Sequence, residues 1–441
     1  MVDLSSLRSK FPALSQTVNG SSAVFLDAPG GTQVPQTVID AVSTYLATSN
    51  SNVHGSFLTS RRTDQVIEAA HTAAADLLGC DADEVVFGPN MTTLTFAFSR
   101  AIGREFQAGD EIITTLLDHN ANVAPWHALA ERGVRILEVG VRNEDCTLDM
   151  EDFARKLGPK TRLVAVGFAS NAVGTINPLP QIVEMAHRRG ALVYVDAVHY
   201  APHHLIDVKG LDCDFLACSV YKFFGPHLGI VFGKREHLAR LRPYKVRPAT
   251  EMLPYRWETG TQNHECMAGT TAAIDYIADL GRQLSPHANT RREAISNAYG
   301  WISQHELSLC RQLISGLLEI PGLTLYGIAD AARFDQRTAT VGVRIDGDSP
   351  EGLARALGDK GIFTWAGNFY ALTLMEALNV EETGGVLRIG LVHYNTSEEV
   401  ERLLAELRLQ VERAKKQTPP ASNAALAGRS RWPNVRSRPL D

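Results

Sequence analysis

The chain has few cysteines, no long apolar run and no marked excess of charge of either sign. Its six cysteines, at 80, 146, 213, 218, 266 and 310, are scattered without a CxxC pair, which argues against a disulfide framework and a zinc site. No apolar stretch approaches the roughly 20 residues of a membrane span, and the opening MVDLSSLRSKFPAL has no charged head followed by a continuous apolar core. A net charge of -6 favours no polyanionic partner, so neither nucleic acid nor a membrane is expected and a cytoplasmic location is the default. What remains is a chain of 441 residues and ordinary globular composition, long enough for two or three domains with sizeable cores.

The informative stretch runs from Ala191 to Gly233. An apolar run, Ala191 to Val195, ends in Asp196 with His199 just beyond; a second ends at Cys218 and is followed by Ser219 and Lys222. Short apolar runs without alternation read as strands covered on both faces, and such sheets bind ligands at the carboxyl ends of their strands. A lysine held beside apolar surface loses its proton more readily than one in water, and the neutral amine attacks aldehydes. A carboxylate nearby can hold a protonated ring nitrogen. Taken singly, a lysine after a strand is usually solvated and an aspartate there a turn former. Together they are the Schiff-base lysine and aspartate partner that pyridoxal 5'-phosphate requires.

The rest of the chain can be read in order. An arm to residue 22 precedes a short strand, Ala23 to Asp27, and a loop of small residues, Ala28-Pro-Gly-Gly-Thr-Gln, in which Gly30 leaves room for close approach. Helices are predicted over Pro35 to Tyr45 and Arg62 to Leu78, with an exposed loop, Ser49 to Ser60, between them. Gly79 caps the second helix. A strand, Glu84 to Gly88, leads into Pro89-Asn-Met-Thr-Thr-Leu, where a helix start offers an anion site or, more simply, a threonine cap. His119 follows a strand over Asp110 to Thr115; it is either a hydrogen-bonded structural residue or a ring that stacks on a planar cofactor. Helix Trp126 to Arg132 and strands Arg135 to Val139 and Arg162 to Phe168 follow, and Asn171 stands just past the last. Cys213 and Cys218 are expected inside one buried strand. A helix over Cys266 to Leu280 and a long one over Thr290 to Leu318 lead to a smaller α+β region. It contains strands Thr338 to Ile345 and Val386 to Tyr394, and Thr396-Ser-Glu-Glu399 as a capping box. The expected domains are an arm (1–22), a large cofactor-binding domain (23–289), a linking helix with a small domain (290–416) and a mobile tail (417–441).

The ordered motifs FLDAPGGTQ, NMTT, DHNAN, SNAVGT, VDAVH, SVYK, ETGT and LRIG resemble the class V aminotransferase group of pyridoxal-phosphate enzymes, and within it the cysteine desulfurase-like branch. The resemblance implies an α/β fold of the aspartate aminotransferase-like kind (fold type I), with a mostly parallel seven-stranded sheet and a small C-terminal α+β domain. It also implies a homodimer with shared active sites. By the same resemblance, Lys222 is the Schiff-base lysine, Asp196 the partner of the pyridinium nitrogen, His119 the stacking ring and Asn171 the neighbour of the phenolic oxygen. Thr92, Thr93, Ser219 and His199 fall among the phosphate and ring contacts. Thr261 matches a phosphate contact made from the partner subunit, and Arg388 the clamp on the substrate carboxylate.

One departure stands out. Where desulfurases carry a nucleophilic cysteine, this chain reads Trp365-Ala-Gly-Asn-Phe-Tyr370. The expectation is therefore a pyridoxal-phosphate enzyme acting on a small amino acid through an external aldimine, as a carbon-sulfur lyase (β-elimination) on a cysteine derivative without a protein persulfide. Trp365 and Tyr370 would shape the side-chain pocket. Epimerisation, transamination or bond formation on the same scaffold are the alternatives, and a non-catalytic cofactor-binding protein is the reading of another class.

Overall fold

The structure is a computed structural model that describes residues 2–417; the tail expected beyond Gln417 lies outside them. Three helices, α1 (Gln36–Thr48), α2 (Leu58–Leu78) and α3 (Met91–Ile102), come early in the chain. The main sheet is built from β1 (Val85–Gly88), β2 (Glu111–Thr115), β3 (Arg135–Val139), β4 (Thr161–Gly167), β5 (Leu192–Asp196), β6 (Phe215–Ser219) and β7 (Gly229–Gly233). Its order is β1-β7-β6-β5-β4-β2-β3, parallel except at β7, which runs antiparallel to both neighbours.

The absence of alternation in these strands has its cause in the packing. Val193 and Val195 of β5 and Leu216 and Cys218 of β6 enter one core, while Tyr194, Phe215 and Ala217 enter another on the opposite face. Both faces are thus covered. Helix α4 (Leu179–His187) precedes β5, and α5 (His264–Leu284) packs on α1 and α2. The 28-residue α6 (Arg291–Leu318), opened by the Thr290–Glu293 capping box, leads to the second sheet. That sheet contains β8 (Leu323–Tyr326), β9 (Thr340–Ile345), β10 (Trp365–Gly367) and β11 (Val386–Gly390), in the antiparallel order β8-β9-β11-β10. Helices α7 (Pro350–Gly358) and α8 (Ser397–Gln417) complete this smaller α+β unit. Its core joins Val341 and Val343 to Leu313 of α6 and Leu403 of α8.

Several local expectations need correction. α2 begins at Leu58 and not Arg62, because the Ser60 hydroxyl donates to Asn52 O (2.6 Å) and accepts from Gly55 N (2.6 Å), folding the supposed loop onto the helix start. Ser49 and Ser60 are accordingly buried. The segment from Trp126 is an α turn (Ala124–His127) followed by a 3-10 turn to Arg132, broken by Gly133 in the left-handed region. Cys213 lies before β6, though both it and Cys218 are fully buried. The last strand stops at Gly390, since the Asn395 side chain accepts from Val392 N and turns the chain inward. The capping box at Thr396 is present: Glu399 N donates to Thr396 Oγ1 (3.3 Å) and Thr396 N to Glu399 Oε2 (3.2 Å).

Candidate active site

A cavity of about 620 Å³ opens at the carboxyl ends of β2, β4, β5 and β6, where the small sheet meets the large one. Asp196 is the last residue of β5, held between Gly167 of β4 and Ala217 of β6 by the parallel register. Its Oδ1 accepts from Val198 N (2.9 Å). Burial pushes its carboxyl up to about 6, although the Val198 N–H and the Lys222 charge favour ionisation.

Lys222 ends the 3-10 turn that follows β6. Its Nζ donates to the carbonyls of Pro29 and Gly30 and lies 4.7 Å from the Tyr221 ring centroid. Burial, reinforced by the Arg388 charge, brings its amine down to about 7, so a large fraction is neutral near physiological pH. The glycine loop is held in place from the other sheet. Pro29 packs on Gly390, and a Cβ at Gly30 would sit 3.1 Å from Trp365 Nε1.

Arg388 reaches the cavity from β11, where it pairs across the ladder with Trp365. Its Nη1 donates to Asn171 O (3.1 Å), its guanidinium covers the Phe369 ring at 4.0 Å, and Nε has no partner. Burial lowers it to about 9, opposed by Asp27. Asn171 Nδ2 donates to Phe369 O (2.9 Å), leaving Oδ1 buried and unpartnered. His119 accepts from Ala121 N at Nδ1 (3.0 Å), and its ring lies 5.4 Å from that of Tyr370. Burial brings it down to about 4, helped by Lys222 and Arg388, so it is a neutral ring. Phe369 and Tyr370 both have positive φ, +55° and +58°, an uncommon conformation for bulky residues. Trp365 and Tyr370 are the exposed part of this loop, at 54% and 70%.

Of the residues singled out from the sequence, Lys222, Asp196, His119, His199, Asn171, Thr92, Ser219, Arg388, Gly30, Trp365 and Tyr370 converge on the cavity; Thr93 and Thr261 do not. Thr93 lies on the exposed side of α3, and the cap there is Asn90, whose side chain accepts from Thr93 N (2.8 Å). Thr261 is exposed outside the cavity. Sequence reasoning passed over Asp118, Tyr221 and Asn177, which also line it. Asp118 carried a signal, an acid directly before His119 at a strand end. Its Oδ2 accepts from Thr115 Oγ1 (2.8 Å), Oδ1 has no partner, and burial pushes it up to about 8.

These residues fit pyridoxal 5'-phosphate. An amine and a carboxylate at adjacent strand ends, first-turn amides of α3 and unpartnered polar atoms on Asn171, Asp118 and Arg388 match an aldehyde, a ring nitrogen, a phosphate and a polar substrate. β7 approaches the start of α3 closely beside the cavity, since a Cβ at Gly229 would lie 2.6 Å from Met91 N.

Fold and site together define a pyridoxal-phosphate enzyme of fold type I. Residues 24–403 match the model of the family described as Aminotransferase class-V, and the chain belongs to that family. Its cofactor is pyridoxal 5'-phosphate. It is 34% identical over 425 residues to a cysteine desulfurase of Synechococcus elongatus, covering 92% of this chain but only 63% of that longer protein. It is 33% identical to a probable cysteine desulfurase of Halalkalibacterium halodurans, covering 90% of this chain and 95% of the relative. Among solved structures, the apo cysteine desulfurase of Thermococcus onnurineus superimposes with a TM-score of 0.83 at 26% identity, covering 93% of this chain and 99% of that one. A cysteine desulfurase of Escherichia coli does so with 0.79 at 26% identity, covering 94% and 99%.

Proposed function

We propose that the chain is a carbon-sulfur lyase that eliminates the Cβ thiol substituent of a cysteine derivative without forming a protein persulfide. The observation that carries this reading is the composition of the cavity wall: Lys222 and Arg388 are present, and none of the six cysteines lines it. The relatives named above are called cysteine desulfurases; a desulfurase step needs a thiolate within reach of the substrate sulfur. Here the loop residue facing His119 is Tyr370. Cys266 is raised to about 11, chiefly by burial, and is no ready nucleophile.

Bound pyridoxal phosphate would supply an aldehyde carbon and an electron-withdrawing ring. Lys222 would hold that carbon, with Asp196 on the ring nitrogen, His119 on the ring face, Asn171 at the phenolic oxygen, His199 beside it, and Thr92 and Ser219 at the phosphate. Arg388 would grip the substrate carboxylate with its planar fork. Lys222, as a neutral amine, would serve as the base for the Cα proton, with the substituent on Cβ leaving as thiolate. Trp365, Phe369 and Tyr370 would close over the side chain and exclude water. The active unit is a dimer, in which the exposed Thr261 reaches the partner's phosphate site.

The net reaction consumes one water: the cysteine conjugate yields a thiol, pyruvate and ammonia. Incubation with cysteine and S-substituted cysteines, read by product mass spectrometry and persulfide mapping, tests this. Pyruvate with no protein-bound persulfide is expected. Alanine released together with a persulfide on any cysteine would restore the desulfurase reading.

A further inference from the structure

The groups beside Lys222 and Arg388 decide where a bound amino acid points its side chain. Lys222 Nζ donates to Gly30 O at 3.1 Å, and a Cβ on Gly30 would lie 3.1 Å from Trp365 Nε1, so the indole edge lies against the residue that holds the amine. Arg388 pairs across the ladder with the same Trp365, and its guanidinium covers the Phe369 ring at 4.0 Å. A substrate with its amino group at Lys222 and its carboxylate at Arg388 has Trp365 beside both, so its side chain runs along these rings and on to Tyr370. The wall is preset. Phe369 and Tyr370 keep φ of +55° and +58°, and bulky residues stay there only where their surroundings over-determine them. Asn171 Nδ2 donates to Phe369 O (2.9 Å), Asn120 N to Tyr370 O (2.7 Å) and Tyr370 N to Asn368 Oδ1 (3.0 Å). With its peptide groups paired in this way, the loop presents aromatic surface to the cavity.

We propose that this wall selects substrates whose side chain is apolar and uncharged, S-alkyl and S-aralkyl cysteines on the lyase reading, with Trp365 and Tyr370 as the specificity-determining residues. The placement of charge carries the assignment. Four charged residues line the cavity: Lys222, Arg388, Asp118 and Asp196. The first two take the substrate's amine and carboxylate. The two acids sit together at the strand ends, since a Cβ on Gly167, the register partner of Asp196, would lie 2.5 Å from Asp118 Oδ1. They are 3% and 7% exposed, against 54% for Trp365 and 70% for Tyr370, so the acids lie at the floor and the rings at the mouth. His119 accepts from Ala121 N at Nδ1, which leaves that nitrogen bare and the ring neutral. No charged lining residue is left beside the rings. A carboxylate or ammonium on the substrate's side chain would lose water there without a partner, whereas a methylene gains by leaving water. The thioether sulfur rests on the lyase reading; the apolar side chain rests only on Lys222 and Arg388 taking the amine and the carboxylate.

Carba analogues, in which a methylene replaces the sulfur, bind without elimination and isolate the choice of side chain. Dissociation constants of the full-length holoenzyme, read from cofactor absorbance or tryptophan fluorescence, are compared for norvaline, 2-aminoheptanoate, 2-aminoadipate and lysine. The two added methylenes should make 2-aminoheptanoate bind about 10-fold more tightly than norvaline. Both 2-aminoadipate and lysine should bind at least about 10-fold more weakly than 2-aminoheptanoate. Trp365→Ala and Tyr370→Ala should each shrink the advantage of 2-aminoheptanoate over norvaline to about 3-fold or less, while Trp365→Phe and Tyr370→Phe retain it, a pattern that a general loss of structure would not give. Tyr370→Arg should bring 2-aminoadipate above 2-aminoheptanoate. Should an alanine variant not fold, the wild-type ranking and Tyr370→Arg decide. The proposal falls if either charged analogue matches 2-aminoheptanoate in the wild type, or if the alanine variants leave the ratios unchanged. Selective binding as expected, with no thiol released from S-methylcysteine and S-propylcysteine, the matching thioethers, would refute the lyase reading alone.

Discussion

At the scale of single residues, the chemistry turns on how burial and one neighbouring cation set the lysine. Lys222 sits near 7 first because it is desolvated and second because Arg388 repels its protonated form. The neutral amine captures an aldehyde. Uptake of pyridoxal phosphate by cofactor-free protein, followed by absorbance, should therefore accelerate as pH rises through about 7 and level off above it. Arg388→Gln removes the repulsion, so the same midpoint should move upward while KM for amino-acid substrates increases. A midpoint that stays put in this variant would show that desolvation alone sets the amine. The place of Lys222 at the ligand end of the sheet was legible in the sequence because a strand end and a motif marked it. The influence of Arg388 was not, since 166 positions of chain separate the two and only the meeting of two sheets brings them together.

At the scale of elements, two contacts carry the frame that aims the strand ends. Asp214, just before β6, accepts from His237 Nε2 (2.8 Å), His187 Nε2 (2.9 Å) and Val193 N (2.8 Å), tying β5 and α4 to β6. Burial alone would raise its pKa, but the bonds from His237 and His187 outweigh it and hold the carboxyl below its usual value. A carboxyl depressed on folding stabilises the protein above its unfolded pKa of about 3.9, and that contribution fades as pH falls through the lower folded value. Asp214→Asn should cost about 3 kcal/mol at pH 7, with the gap from wild type narrowing below about pH 4 in denaturant titrations. The second contact is the crossing of α5 and α6 at Gly281, where an added Cβ would lie 1.7 Å from Ala294 O. Backbone cannot yield there as a side-chain tip can. Gly281→Ala should lose about 3 kcal/mol, measured by thermal or urea unfolding, whereas the open Gly300 tolerates alanine. The sequence predicts helices over Cys266 to Leu280 and Thr290 to Leu318, yet a close crossing leaves no mark in either segment alone.

At the scale of the whole molecule, one of the two predicted contacts that miss the cavity points beyond the single chain: Thr261 lies outside it and is exposed. The segment before it keeps Tyr244, Val246 and Met252 exposed, at 58%, 66% and 68%. A second copy docked on this face would cover them and carry Thr261 to the neighbouring phosphate site. Sedimentation should show a dimer at assay concentration. Thr261→Ala should weaken cofactor retention, and mixing it with Lys222→Ala should regain part of the activity, since hybrid dimers hold one intact site. An active monomer, or no recovery on mixing, would exclude the shared site. No helix among the described residues is long and apolar enough to cross a membrane, and none of their His, Cys, Asp and Glu side chains cluster to hold a metal.

The sequence by itself determined the fold class and the cofactor chemistry, because both reside in local order: apolar runs that end in Asp196 and Ser219, caps that open helices, and motifs in a fixed succession. It also showed that the loop at Trp365 to Tyr370 holds no cysteine. Tertiary structure decided what depends on distance in space. It placed Arg388 beside Trp365 across β11 and β10, buried Asp118 near Asp196 so that the two carboxyls hold their protons differently, and set His203 between Glu306 and His199. Desolvation and Coulomb interactions depend on what surrounds a group, and here those surroundings come from segments far apart in the chain.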